Sequence, residues 1–219
     1  MKHDFANSFA QSVAKFYEDH GAAFAATRGS AWAELERAAT LIKPGMTVVD
    51  VGAGNGRFSK LLPEGVTYIG IEPSSTLRAA SPTPLLEGGF PNVPVESNLA
   101  DVTVCFAVFH HLTKEERVEA VKELLRITKP GGMIVATSWF LPVAGYDAVE
   151  NGEVGDIWVP WNAEGATTKR FVHIYTAQEW QELWEVPEFK ISQSGLFGRG
   201  DWTEDEKQAR NWMVVGSKM

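Results

Sequence analysis

The sequence predicts an α/β protein built on a doubly wound, mostly parallel sheet. Three observations predict it. Short β-branched runs without polar alternation recur along the chain, the pattern of strands buried on both faces. Helical stretches alternate with them in βαβαβ order, which implies right-handed crossovers. A glycine-rich turn, Asp50-Val-Gly-Ala-Gly-Asn-Gly56, directly follows the first run.

Two helices are expected first. Phe5, Phe9, Val13 and Phe16 recur at three- and four-residue steps, one apolar stripe on a helix over 5–19. A second helix is expected over 30–42, with Ser30 as N-cap and Lys43-Pro44-Gly45 as its stop. TVVDVG (47–52) is the first strand, and Asn55–Leu62 the helix after it, ended by Pro63. VTYIGI (66–71) is the second strand and Ser74–Ala80 a short helix, with DVTVCFAV (101–108) a third buried strand. Thr113-Lys-Glu-Glu116 is a capping box that opens a helix with Val118, Val121, Leu125 and Thr128 on one side. Lys129-Pro-Gly-Gly132 ends it, and MIVATSWF (133–140) returns as a strand. Residues 141–172 carry Pro, Gly and acidic residues and read as an irregular insertion. Thr176-Ala-Gln-Glu179 then caps a helix with Trp180, Leu183 and Trp184. FKISQSGLF (189–197) and NWMVVGSK (211–218) are the final strands, the second at or near a sheet edge.

Composition narrows the class. The 219 residues are 44% hydrophobic and 22% charged, ordinary for a globular domain. The chain has no apolar run long enough for a membrane span, and its first residues are too polar for a secretory signal. A single cysteine, Cys105, excludes an internal disulfide framework and a thiolate zinc site. No metal site is expected, and a reducing, cytoplasmic setting is. The net charge of −8 weighs against non-specific nucleic-acid binding, which runs on cations displacing counterions. Four of the eight tryptophans lie between 158 and 184, as an aromatic core or a pocket for a flat acceptor.

Open α/β sheets bind ligands beyond the carboxyl ends of their strands, where Gly52, Gly54 and Gly56 fall. The dinucleotide fingerprint needs a third glycine where Arg57 stands, and the phosphate loop needs Gly-Lys-Ser/Thr, which is absent. Asp-x-Gly-x-Gly-x-Gly remains. Glu72, at the end of the second strand, can accept both hydroxyls of a ribose. Asp50 suits an ammonium group. A ligand with a ribose and an amino-acid moiety but no phosphate matches, and S-adenosylmethionine is that ligand. The plainer reading of the same glycines is a tight strand-to-helix turn.

VVDVGAGNGRF, YIGIEPS, DVTVCFAVFHHL and LLRITKPGGMIVAT resemble, in order, the motifs of class I S-adenosylmethionine-dependent methyltransferases over residues 45–140. The resemblance implies a Rossmann-like sheet. It places Asp50, Gly52 and Gly54 at the methionine part of the donor and Glu72 at its ribose. Gly89 and Phe90 would flank the adenine. Ala53, Gly56, Arg57, Pro73, Phe106 and Ala107 complete the expected donor set. Many relatives carry an acidic residue where this chain has Gly89, so the adenine contact departs from the pattern.

FAATRGSAWAELE, AVFHHLTKEER, WVPWNAEGATTKRFVHIYTAQEW and NWMVVGSK extend the likeness nearly from end to end. They resemble the tRNA wobble-uridine carboxymethyl methyltransferases, above all in Thr27-Arg28 with Trp32, Val159-Pro160-Trp161, and Arg170-Phe171 with His173. That family esterifies a carboxymethyl group on the anticodon base and works with a small activating partner protein. The implied organisation is one domain over 1–219: a helical cap (1–44), a donor-binding core (45–140), and an acceptor-side insertion with closing elements (141–219).

A carboxylate acceptor is already an anion, so transfer from a sulfonium needs no general base. It needs in-line placement and a cation, for which an arginine fork is better suited than lysine. Arg28 and Arg170 are the candidates. His110 and His111 follow the third strand; as neighbours they point different ways, and one of them, with His110 as the candidate, would accept the proton of an amine or phenol acceptor. His173 stands near Arg170 and Trp161 in sequence but equally suits an ordinary strand position. Trp158 and Trp161 suit base stacking or core packing. Charge opposes RNA: residues 140–189 hold Lys169 and Arg170 against nine acidic residues. Three readings stay open. They are a tRNA methyltransferase, a methyltransferase for a small-molecule acceptor, and a non-catalytic module that kept the fold.

Overall fold

The computed structural model describes residues 2–27, 32–163 and 166–219. Helix α1 runs over Lys2–Ala26 without a break, well past the expected end at 19. Gly21 does not stop it, because there the helix presses on the next layer: a Cβ at 21 would stand 3.1 Å from Thr76 Cβ. Helix α2, Ala33–Ala39, is shorter than expected and starts at Trp32, which offers no side-chain cap. Ser30 lies outside the described residues.

The strands follow in chain order as β1 (Thr47–Val51), β2 (Thr67–Ile71), β3 (Leu85–Leu86), β4 (Ala100–Cys105) and β5 (Thr128–Trp139). Then come β6 (Asp147–Ala148), β7 (Asp156–Ala163), β8 (Ala166–His173), β9 (Phe189–Gly198), β10 (Asp201–Trp202) and β11 (Asn211–Lys218). Helices α3 (Ser75–Ala79), α4 (Lys114–Ile127) and α5 (Ala177–Trp184) complete the list. Eight strands form the main sheet in the order β10-β9-β11-β5-β4-β1-β2-β3. β1 to β5 pair in parallel, and β11 runs antiparallel to both β5 and β9.

Successive side chains of a strand face opposite sides, and the two cores divide accordingly. Val49 and Val51 pack with Leu124, Trp180 and Trp184 beneath α4 and α5. Val48, Val102 and Val104 pack with Leu35 and Phe58 on the other face. The sheet is therefore covered on both sides, as a doubly wound architecture requires.

Several expectations are corrected. Between left-handed Gly56 and Pro63 the chain makes a 3-10 turn, Arg57–Leu61, rather than an α-helix: Ser59 N–H bonds the Gly56 carbonyl and Leu62 N–H the Ser59 carbonyl, three residues back in each case. α4 keeps its capping box, but Val118 is 48% exposed; the buried stripe passes through Arg117, Ala120, Val121 and Leu124. Residues 141–172 are not irregular: β6, β7 and β8 form a separate antiparallel sheet. Pro160 within β7 masks it in the sequence, and is tolerated because β6 pairs only with Ile157 and Trp158. β11 is not at the edge. It fills the slot between parallel β5 and β9, and two-residue β10 forms the edge instead.

Among the described residues no helix is long and apolar enough to cross a membrane. α1 lies across α3 and β8, which brings the N-terminal helix over the carboxyl ends of the main strands.

Candidate active site

A cavity of about 740 Å³ opens beyond the ends of β1, β2 and β4. Asp50, Gly52, Ala53, Gly54, Arg57, Glu72, Pro73, Gly89, Phe90, Phe106 and Ala107 line it. α1 roofs it with Val13, Tyr17 and Glu18. Gly56 stands just outside the lining, packed under Ser81 at the start of the 3-10 turn.

The loop after β1 is tied to β2. Gly52 and Ala53 donate their N–H groups to the Ile71 carbonyl at 2.8 and 3.0 Å. Gly52 has φ 77°, and a Cβ there would collide with the Val108 side chain; at Gly54, φ 58°, the space is open. Glu72 is almost fully buried, and its two oxygens accept N–H groups from Gly54 and Ser74, each at 2.9 Å. Asp50, 2% exposed, accepts a hydrogen bond from the Tyr68 hydroxyl at 2.8 Å. Burial pushes the Asp50 carboxyl up to about 7, with the Glu72 charge adding to the shift and Tyr68 and Arg57 opposing it. Burial raises Glu72 as well, against its two N–H bonds and Arg78.

Two buried acids whose ionised forms are disfavoured suit a ligand that brings positive charge and hydroxyl donors. A phosphate would meet only repulsion from them. S-adenosylmethionine fits this donor set. At the expected adenine end Glu87 also lines the cavity, two residues before Gly89, but its carboxylate is engaged by Arg78 at 2.8 Å.

The opposite wall is aromatic and basic. The choice of His110 is corrected: His111 lines the cavity, whereas His110 lies behind it, fully buried and stacked on Trp139 with ring centroids 4.3 Å apart. His111 Nδ1 lies 2.9 Å from the Phe171 carbonyl, which only accepts, so Nδ1 carries the proton. Its Nε2 then accepts from the Tyr17 hydroxyl at 2.9 Å. Burial first, then the Arg170 charge, lowers His111 to about 3, so the ring is neutral. His110 is held neutral for the same two reasons together with the neighbouring His111. Its Nδ1 takes the Trp139 N–H, which leaves the Nε2 proton buried without an acceptor among the described residues.

Arg170, one of the two expected acceptor-holding cations, is enclosed by aromatic rings. The residue is 3% exposed, and its guanidinium sits 4.5 Å from the Trp139 ring centroid and faces Phe16, Trp161 and Phe24. Among the described residues no carboxylate pairs with it, and its one hydrogen bond is from Nη1 to the Tyr17 hydroxyl at 3.3 Å. Arg170 stands one layer behind the cavity, separated by Tyr17, His111 and Trp139. Arg28 lies outside the described residues.

Trp158 and Trp161 pack against α1 through Phe9, Phe16 and Phe24. His173 belongs elsewhere: fully buried, its Nδ1 is hydrogen-bonded to Asp156 Oδ1 at 2.7 Å. Asp156, Glu153 and His173 could together hold a metal ion by spacing. Arg117 already contacts Glu153 at 3.1 Å and Asp156 at 3.7 Å, so the cluster is an ion-pair network with its cation in place.

Sequence reasoning missed Tyr17, Glu18 and Trp139. Tyr17 could have been found, because it is four residues beyond Val13 on the same helical face. Glu18 and Trp139 carry no comparable local signal.

The family described as a methyltransferase domain matches residues 49–136. A chain from Encephalitozoon cuniculi named as a methyltransferase is 30% identical over 84% of this chain and 89% of its own length. The chain belongs to the class I S-adenosylmethionine-dependent methyltransferases. The tRNA (carboxymethyluridine(34)-5-O)-methyltransferase of Schizosaccharomyces pombe is 28% identical, covering 92% of this chain and 97% of its own. Against two further curated relatives the chain spans only 32% and 36% of their length. The fold matches a structure of the Haloferax volcanii complex between the Trm112 methyltransferase activator and a methyltransferase. Its TM-score is 0.68 at 15% identity, with 94% of this chain and 97% of that chain covered. The mostly parallel, doubly wound sheet is the one this family uses, and the enzyme is an S-adenosylmethionine-dependent methyltransferase.

Proposed function

We propose that this methyltransferase esterifies a carboxymethyl group on a wobble uridine of tRNA. The observation that carries the reading is Arg170, a buried guanidinium with no carboxylate partner among the described residues, one layer from the donor cavity. A cation in that state costs several kcal/mol, on the order of 2–5, unless an anion completes it. The relatives' names and the match along nearly the full S. pombe chain support tRNA as the acceptor.

In this reading the glycine loop with Asp50 and Arg57 holds the methionine part of the donor. Glu72 and Pro73 hold the ribose, and Gly89, Phe90, Phe106 and Ala107 the adenine. S-adenosylmethionine supplies a sulfonium methyl group. A carboxylate oxygen forms the new O–CH₃ bond as the C–S bond breaks, and that electron pair stays on sulfur. No proton moves. His111, lowered to about 3, is a poor base, which agrees with an acceptor that needs none. Arg170 and Arg28 balance the acceptor's charge, and the buried rings around Arg170 keep water from screening it. A small activating protein of the Trm112 type is the expected partner, by analogy with the Haloferax volcanii complex.

One observation favours a second reading. α1 roofs the cavity and residues 140–189 are strongly acidic, which suits a small-molecule acceptor better than a polyanion. Labelled donor incubated with total tRNA, with and without the activator, separates the two. Base-labile label in tRNA supports the ester; label only in a metabolite extract overturns it.

A further inference from the structure

Among the described residues one polar contact gives Arg170 its direction. Cation–π attraction to Trp139, Phe16, Trp161 and Phe24 holds the guanidinium among rings but has little angular preference. The Tyr17 hydroxyl accepts from Arg170 Nη1 at 3.3 Å and donates to His111 Nε2 at 2.9 Å. His111 is itself fixed by the Phe171 carbonyl, the residue next to Arg170 on β8. The result is a closed ring of contacts: Arg170 to Tyr17, Tyr17 to His111, and His111 back to the strand that carries Arg170.

Tyr17 belongs to α1, and its neighbour Glu18 fastens that helix to the donor side. Glu18 accepts the Ser75 N–H at 2.9 Å and both the Ser75 and Ser74 hydroxyls, while the Ser74 N–H holds Glu72. Adjacent residues of one helix therefore touch the two halves of the site.

We propose that Tyr17 is a positioning residue for methyl transfer: its hydroxyl fixes the Arg170 guanidinium one layer behind the cavity, so that its charge faces the acceptor across the layer of Tyr17, His111 and Trp139, with α1 closed over the donor through Glu18. The proposal rests on the acceptor reading of Arg170 given above. Tyr17 touches no reacting atom and acts through Arg170. A phenylalanine at 17 keeps the ring packing and leaves both Nη1 and His111 Nε2 without their bridge.

The test has an arm that needs no acceptor. In side-chain ¹⁵N–¹H spectra of the protein with S-adenosylhomocysteine, the wild-type Arg170 guanidinium shows hindered rotation, and Tyr17→Phe releases it. In the kinetic arm, Tyr17→Phe lowers kcat/KM for the acceptor about ten-fold, with the S-adenosylhomocysteine Kd within about two-fold. In an Arg170→Met background, Tyr17→Phe adds no further loss. An unchanged guanidinium spectrum overturns the proposal, as does full additivity with Arg170→Met. So does an equal loss of donor affinity, which would make Tyr17 a wall of the donor cavity. If Arg170→Met transfers at the wild-type rate, the acceptor reading fails instead, and the spectrum distinguishes that case.

Discussion

The two walls of the cavity are built in opposite ways. The donor wall is chain-local and acidic: Asp50 and Glu72 stand at the ends of neighbouring strands, joined by the loop that donates Gly54 N–H to Glu72. The facing wall, the acceptor side in the proposed reading, is assembled from α1, the turn at Phe109–His111, β5 and β8, and among the described residues its Arg170 charge has no carboxylate partner. The contrast teaches what each wall is matched to. Among the described residues one lacks a cation and hydroxyl donors and the other an anion; in the proposed reading a sulfonium nucleoside and a carboxylate acceptor supply them.

The largest effect should come from the donor wall. Glu72→Ala removes the acceptor of two backbone N–H groups and, in the proposed reading, of the ribose hydroxyls. Charge-assisted hydrogen bonds of this kind are worth about 1.5–3 kcal/mol each, so S-adenosylhomocysteine affinity should fall about 100-fold or more. Calorimetry checks it. A loss under three-fold would break the assignment of this wall to the donor.

Arg170→Met should do the reverse on the acceptor wall. Donor affinity stays, while transfer to the acceptor falls about 30- to 100-fold, the cost of about 2–3 kcal/mol for removing a poorly screened positive charge roughly 6–8 Å behind the cavity wall. The same change should stabilise the fold by about 1–2 kcal/mol, because methionine fills an aromatic box without carrying a buried charge that has no carboxylate partner among the described residues. Denaturant melts read that gain. A destabilised variant would mean the guanidinium is there for packing and not for a ligand.

How much of each wall can be read from the sequence follows from the same contrast. The strands, the α4 and α5 capping boxes and the loop from Asp50 to Gly56 depend on neighbours within a few residues, so period and glycine placement reveal them. Tyr17 meets His111 across 94 positions and Arg170 across 153, distances over which no local pattern operates. The ambiguity between His110 and His111 had the same origin. Only the docking of α1 and β8 decides that His111 faces the cavity and His110 packs under Trp139. The β6–β8 sheet was hidden by Pro160, and the inner place of β11 by the fact that β9 crosses beyond it before β11 forms.

A subtler difference between the walls is their response to pH. Asp50 has its folded pKa raised to about 7, above an ordinary aspartate. Between that ordinary value and about 7 the folded donor-free protein binds more protons at this site than the unfolded chain. Through this group, stability therefore falls as pH rises across the window. A ligand ammonium favours the ionised form, so donor binding should release a proton and tighten as pH rises towards and through about 7. Calorimetry at pH 6.5 in buffers of different ionisation enthalpy reads the released proton, and Asp50→Asn should abolish it. Proton uptake on binding would place the ammonium elsewhere.

The smallest expected effect sharpens the comparison at the seam that joins the walls. Gly21→Ala adds a methyl 3.1 Å from Thr76 Cβ and 3.2 Å from Leu77 Cγ, closer than side chains normally approach. Alanine favours helix by about 1 kcal/mol over glycine, and the crowding costs about as much, so global stability should barely change. The crowding falls where α1 meets α3, beside the Glu18 contacts to Ser74 and Ser75. α1 should then close less tightly and S-adenosylhomocysteine should leave a few-fold faster, about 2- to 5-fold for roughly 0.5–1 kcal/mol. Stopped-flow displacement measures that rate. Slower release, or a melting point raised by the full helix gain, would show that α1 and α3 have room to spare and that the roof is not closed at this point.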